Sequence, residues 1–369
     1  MAHTGQERYS DLVKAKLRKE LVLKDGVVFN NDYEGSPTAG AVKIPVRDTE
    51  VAVSDYDKAN GITAGTGSTS YETMTIDKDK GVNEIIDGYD ADSVPDNLVA
   101  DRLDSAGYSL AKQIDTDGAI VLVGGSTALG LNSLTKDNIY NTIVDIRTAM
   151  SKANIPDDGK RYLLVTPDTM SLILKSPEFI KASALGDAVV QTGAIGKIAG
   201  FLVIEWNDST ANLAMIAGHP RFATRANEFS VPVHIQDLAG SGKYIGASAV
   251  QGRNVYAHKV LRSTAIRSVF VPAVLSLTVA VGTTTAGDTK VTATVITAGN
   301  TLAYKKNPAS TVVYGITSTD YAGTAMTSGT AKVISSCEEG DVIEVAEFDA
   351  DGKCVAVGYV TLKAADIKS

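Results

Sequence analysis

Residues 161–207, RYLLVTPDTMSLILKSPEFIKASALGDAVVQTGAIGKIAGFLVIEWN, decide how the rest of the chain is read. Residues 161–165 are an apolar run of strand length. Thr166-Pro167 then supplies an N-cap and a proline at the first helical position, where its missing N–H has no intrahelical partner to lose. A helix is therefore predicted from Pro167. Met170, Ile173 and Leu174 share one face of it, and Ser176-Pro177 stops or re-aims it, because a residue before proline avoids the helical region. Gly193, Gly196 and Gly200 bracket the apolar pairs that precede a second strand at 201–204. No reactive side-chain cluster interrupts this strand, helix, glycine loop and strand.

Upstream, Tyr9, Leu12, Val13, Leu17 and Leu21 recur at helical spacing over residues 6–24, predicting an amphipathic helix. From residue 27 to 86 the composition turns to Gly, Thr, Ser, Asp and Val. Strand-like alternation at 41–46 and 73–77, joined by the soft tract 60–70 (NGITAGTGSTS), predicts a long hairpin, an element with too little apolar surface for a core of its own. Val99, Leu103, Ala106, Leu110 and Ile114 then form one stripe of a helix over about 95–114, ended by Asp115-Thr116-Asp117-Gly118. Another helix is predicted over 135–152, capped by Thr135 and striped by Ile139, Ile143, Ile146 and Met150.

Downstream, residues 211–216, 229–236, 244–250 and 254–268 read as strands, the last as one long return strand, and His219-Pro220-Arg221 as a turn. After Pro272 the composition shifts again: residues 273–369 hold no Arg and are dense in Val, Thr, Ala and Gly. Short strands are predicted at 276–281, 290–297, 311–314, 332–335, 341–347 and 354–362, with turn signals between them, the form of a small β-sandwich. Cys337 and Cys354 are too few for a disulfide scaffold, and a hairpin around 349–352 would set Cys354 near Glu347 rather than Cys337; free thiols are expected.

The order described, with Thr166-Pro167-Asp168 opening a helix and Gly193, Ile195, Gly196, Ile198, Gly200 and Phe201 leading into a strand that closes on Asn207, resembles the major capsid protein of tailed bacteriophages, the Hong Kong 97-type fold. The resemblance implies an α+β capsid domain over 1–272: an N-arm (1–26), an extended loop (27–88), a spine helix (about 95–114) and peripheral and axial domains (115–272). Residues 273–369 resemble the immunoglobulin-like domains appended to virion proteins. Implied with it are homo-oligomeric hexamers and pentamers, an icosahedral shell assembled in the bacterial host cytoplasm, a portal, and packaged DNA as a neighbour. Because the segment before the loop is short, a separate scaffolding protein is expected. Expected interface residues are Tyr9, Leu12, Leu17 and Leu21 on the arm, Asn60, Gly65 and Gly67 at the loop tip, Arg102 and Lys112 on the spine helix, and Gly193, Gly196 and Gly200. Some relatives cross-link through a loop Lys; Lys78 and Lys80 lack the context, and no cross-link is predicted.

Composition and motifs narrow the alternatives. A net charge of −8 disfavours a surface built to grip nucleic acid, which needs clustered Lys and Arg. No apolar run reaches the ~20 residues that span a bilayer. Gly124, Gly125 and Gly130 lack dinucleotide-loop spacing, and Gly240-Ser241-Gly242-Lys243 is preceded by Asp237 and followed by Tyr244 where a phosphate loop needs Gly and Ser or Thr. His3, His219, His234 and His258 show no metal-ligand spacing, and no serine sits in a GxSxG elbow. No catalytic residue, metal or cofactor is predicted. An encapsulin-like compartment shares the core pattern, and a surface adhesin or carbohydrate-binding module would rest on the C-terminal sandwich alone.

Overall fold

The computed structural model describes residues 18–33, 40–46, 50–51, 53–62, 69–93, 98–180, 196–240 and 242–369. Chain order runs β1 (Ala41–Val46), β2 (Ser70–Thr75), β3 (Lys78–Ile86), α1 (Gly88–Ser93), α2 (Leu98–Gly125), β4 (Thr127–Gly130), α3 (Ile139–Lys152), β5 (Tyr162–Val165), α4 (Pro167–Leu174), α5 (Pro177–Ile180), β6 (Lys197–Ile198), β7 (Phe201–Glu205), β8 (Leu213–Gly218), β9 (Ala223–Asp237) and β10 (Ser248–Val260). It continues through β11 (Arg267–Phe270), β12 (Ala273–Val274), β13 (Leu277–Val281), β14 (Thr289–Ala293), β15 (Thr301–Lys306), α6 (Ser318–Tyr321), β16 (Thr324–Met326), β17 (Lys332–Ile334), β18 (Val342–Phe348) and β19 (Cys354–Thr361). The elements group into two units, residues 1–125 with 219–263, and residues 126–218 with 264–369.

In the first unit β3, β10 and β9 form an antiparallel sheet in that order, with β10 central. The apolar stripe of α2 covers one face: Val99, Leu103 and Ala106 pack with Val82, Ile86, Val233 and Val250. The predicted hairpin forms between β1 and β2 in antiparallel register, Ala41 opposite Thr75 and Val46 opposite Ser70. Its base is anchored by Ile44 and Met74 on Ala226 and Ala257.

In the second unit β5 is central to a six-stranded sheet of order β4-β11-β8-β5-β7-β6, parallel to β7 and antiparallel to β8. All four residues of β5 are buried, as expected of an apolar run covered on both faces. Thr166 caps α4 with its side chain, Pro167 is the first helical residue, and Ile139, Ile143, Ile146 and Met150 are the buried stripe of α3. The turn joining β6 to β7 has positive φ at both Ala199 and Gly200, 46° and 86°, the two-residue geometry that matches strand twist and favours glycine.

The C-terminal segment of this unit is β-rich. A five-stranded sheet, β12-β19-β18-β15-β16, and a three-stranded sheet, β13-β14-β17, enclose one core containing Leu275, Val291, Leu302, Ile343 and Val345. The opposite face of the larger sheet carries Ala346, Phe348, Cys354 and Val357 and is covered by Val312 and Tyr321. Two wholly buried carboxylates fix the segments that close this arrangement. Glu347 accepts from the N–H groups of Ile296 (2.8 Å) and Thr297 (3.1 Å) and from the Asn300 amide (2.8 Å); Glu344 accepts from the N–H of Val312 (3.1 Å). Cys337 and Cys354 are free and buried, with Cys354 opposite Phe348, and burial pushes the Cys354 thiol up to about 12.

Several expectations need correction. The helix expected over about 95–114 runs unbroken to Gly125, through the Asp-Thr-Asp-Gly signal. Tertiary partners consume the breakers: Asp115 accepts from the Leu23 N–H, Asp117 from Tyr256, and a Cβ at Gly118 would lie 3.1 Å from Phe29. The described end of the predicted N-terminal helix, residues 18–24, is not helical. There Leu23 N–H bonds Asp115, and the Lys19 carbonyl accepts from Tyr108, in place of helical partners; residues 6–17 lie outside the described residues. Helix α3 starts at Ile139, because Asn138 Oδ1 takes the Thr135 N–H and holds a turn ahead of it. The long return strand divides into β10 and β11 around a 3₁₀ turn at Ser263–Ala265, where the polar Arg262-Ser263-Thr264 run ends the apolar pattern. Residues 311–314 are not a strand: Val312 N–H bonds Glu344 and Tyr314 N–H bonds the Leu131 carbonyl, so the segment lies as a cover. The strands at 301–306 and 324–326, by contrast, were not anticipated.

Candidate functional site

Among the described residues the structure gathers no reactive constellation, and several of its exposed large apolar side chains fall close together in one segment. Within and beside the β1–β2 hairpin, Val51, Val53, Tyr56, Ile62 and Tyr71 are 90%, 97%, 72%, 51% and 65% exposed. Single exposed apolar residues are ordinary on a protein surface; five within residues 51–71 make this segment the candidate contact surface. The signal was present in sequence as isolated apolar residues in a polar tract, E-V-A-V-S-D-Y, and lay outside the alternation counted as strand.

The expected interface residues fall in different surroundings. Tyr9, Leu12, Leu17, Gly65, Gly67 and Gly193 lie outside the described residues. Leu21 is half-buried and lines a cavity of about 190 Å³ with Leu23, Ala111, Ile114 and Arg225. Asn60 is exposed and donates its amide to Asp57 (2.6 Å), closing the turn 57–61; the Ala59 N–H and that amide hold the Asp57 carboxyl below the usual carboxylate range. Arg102 forks onto Glu84 of β3, at 3.0 and 2.6 Å, and this pairing raises its pKa. Its charge therefore pins α2 to the sheet. Lys112 is exposed on α2. Gly196 is exposed with open space around it, and Gly200 makes the tight turn already described, beside the Arg147 guanidinium.

The face of the three-stranded sheet away from α2 is polar and internally paired. Arg253 forks onto Asp79, at 2.8 and 2.5 Å, and lies over Phe229; the hydrogen bond from Arg253 holds the Asp79 carboxyl below its ordinary value. Gln251 donates to Asn83 (3.2 Å) in the adjacent row. Exposed pairs of this kind contribute little stability individually. They set which charges the sheet shows to solvent.

In the second unit a cavity of about 600 Å³ opens beside the start of α4, lined by Leu134, Thr166, Asp168, Asn207, Asp208 and Val274 among others. Among the described residues no three His, Cys, Asp or Glu side chains converge as metal ligands. Gly124 and Gly125 lie in the last turn of α2; a Cβ at Gly125 would sit 2.6 Å from Val260, so this glycine serves close packing, whereas Gly124 has open space around it.

Residues 85–276, just over half of the chain, match the family described as phage capsid protein. The chain belongs to that family. This capsid protein is also similar in fold to a chain of Mycobacterium phage Che8, at 24% identity and a TM-score of 0.62, covering 72% of this chain and 96% of that one. The capsid of the cyanophage P-SCSP1u aligns at 13% identity and a TM-score of 0.60, covering 72% of this chain and 92% of that one. A chain of Gordonia phage Cozz aligns at 12% identity and a TM-score of 0.57, covering 73% of this chain and 91% of that one. No curated protein sequence matches the chain. The protein is thus a structural component of a bacteriophage virion with a mixed α/β capsid fold, and its family is not enzymatic. For such a protein the functional surface is the contact between copies.

Proposed function

We propose that this protein is the major capsid protein of a tailed phage with the Hong Kong 97-type fold, and that its copies form the hexamers and pentamers of an icosahedral shell around double-stranded DNA. The observation that carries the assembly reading is the exposed apolar run of the hairpin, Val51, Val53, Tyr56, Ile62 and Tyr71. Burying a Val side chain is worth about 1.5–3 kcal/mol, and repetition around a closed ring multiplies each such contact. On this reading residues 27–88 are the extended loop that reaches an adjacent copy, α2 is the spine, and the residues after it, up to 272, supply the peripheral and axial domains. A scaffolding protein, a portal and the packaged DNA are the proposed partners, and the host cytoplasm is the place of assembly.

The C-terminal segment from residue 273 is proposed as an immunoglobulin-like decoration of the shell. Two facing sheets around one core support this reading, as does the family match, which ends at residue 276, close to the composition shift.

Negative-stain microscopy of purified protein tests the assembly reading. Wild type is expected to give shells, tubes or capsomer rings, and a Val51→Asp, Val53→Asp double variant to remain as folded subunits with an unchanged melting temperature. Wild type that stays monomeric at high concentration, or a variant that assembles equally well, overturns it.

A further inference from the structure

Within the first unit, residues 22–30 form a strap across α2 and β9. Val22, Leu23, Val28 and Phe29 are all buried, and Asn30 bonds the backbone of Ala223 and Arg225. Under Phe29 lies His258 of β10, their ring centroids 4.9 Å apart at 57°, with Tyr256 edge-on to the histidine at 5.5 Å. Both ring nitrogens of His258 are buried, and neither has a hydrogen-bond partner among the described residues.

Every neighbouring element presents a charge to this imidazole. Arg225 of β9 sits directly opposite in the strand register, itself bonded to Asp25 of the strap. Asp117 of α2 is close, yet both its oxygens are engaged, one by Gln113 (3.0 Å) and one by the Tyr256 hydroxyl (2.7 Å). Asp77, just before β3, and Lys78, its first residue, act with opposite signs at longer range. A proton on His258 would thus place a second cation beside Arg225, in a buried site where neither ring nitrogen has an acceptor within hydrogen-bond distance among the described residues. Hydration of the ring would relieve it, and the side chain of the strap packed against that ring is Phe29.

We propose that His258 is an acid-sensitive latch: its protonation lifts Phe29 and releases the strap of residues 22–30 from α2 and the sheet. The latch is internal to one subunit and operates whether or not the subunit assembles. Burial, and then Arg225, lower the His258 pKa from an ordinary 6.5 to about 4. The closed strap is therefore favoured fully above pH 6.5, and that preference is lost as pH falls toward 4. In this window the opening constant rises up to roughly tenfold per pH unit.

Amide hydrogen exchange of the intact protein between pH 7 and 4, corrected for intrinsic exchange rates, reads the latch through peptides covering residues 22–30. Wild type is expected to lose strap protection by roughly a hundredfold across the window, while peptides covering β5 stay protected. His258→Phe, which keeps the ring packing and cannot titrate, is expected to give a flat profile. Asp25→Asn, which removes the carboxylate on Arg225, is expected to keep the wild-type slope. Equal slopes in wild type and His258→Phe, or a wild-type strap protected at pH 4, overturn the proposal. Should His258→Phe fail to fold, NMR titration of wild-type His258 decides: an apparent pKa near 4 supports the latch and one of 6 or above refutes it.

Discussion

Glu347 offers the sharpest test of how the C-terminal β-structure is held. Its carboxylate is wholly buried and accepts three hydrogen bonds, from the N–H groups of Ile296 and Thr297 and from Asn300. Glu347→Gln preserves volume but replaces one acceptor oxygen with an NH₂ donor. Whichever way the amide turns, its nitrogen faces at least one N–H: Ile296 in one orientation, Thr297 and Asn300 in the other. At about 1.5–3 kcal/mol for a hydrogen bond to a charged group, the substitution should cost about 2–4 kcal/mol. Relief of carboxylate desolvation offsets part of that sum. The loss should fall first on the loop around 294–300, whose only charged support from the sheet among these bonds is Glu347. Amide exchange at Ile296 and Thr297 should accelerate by about tenfold for each 1.4 kcal/mol, with smaller changes at β5 in the same unit. A variant in which these two amides exchange within about twofold of wild type would refute the assignment of Glu347 as the anchor.

Two further outcomes follow from the same kind of accounting. Arg161 is 1% exposed and donates to the carbonyls of Pro156 (2.9 Å) and Ile155 (2.5 Å) and to Ser151 Oγ (3.2 Å), so Arg161→Lys, which lacks the planar fork, should lower urea-unfolding stability by about 2 kcal/mol at unchanged m-value. Asp341 is held down to about 2 by the Asn307 amide, then Lys306, then the Glu338 N–H; its stabilising effect is complete above pH 4 and is lost as pH falls through 2, so the gap in urea midpoint between wild type and Asp341→Asn should close over that range.

Much of the fold was legible because it is written in short-range chemistry. Thr166-Pro167 fixes the start of α4 by capping, the isoleucine stripe fixes the face of α3, and the wholly apolar YLLV run requires a strand covered on both sides. What stayed hidden depends on partners distant in sequence. Asp115, Asp117 and Gly118 carry every local sign of a helix end, yet their partners are Leu23, Tyr256 and Phe29, and no window of neighbouring residues contains them. Thr301–Lys306 has the reverse problem, a central strand whose two lysines masked its apolar face. The proposed contact surface was half legible. Its glycine-rich tract stood out, whereas Val51 and Val53 became informative only once their exposure was known.

The uninterrupted course of α2 also imposes an order of events in time. A helix containing Asp-Thr-Asp-Gly near its middle has poor intrinsic propensity there, and nucleated helix does not propagate well across such a stretch without outside contacts. The residue that donates to the Asp117 carboxylate, Tyr256, is 139 positions later in the chain. At a synthesis rate of about 5–20 residues per second, the second half of α2 waits on the order of ten seconds for the strand that completes it. Until then Asp115 and Gly118 can meet only Leu23 and Phe29, which precede them in the chain, and the first unit closes only when β10 has left the ribosome.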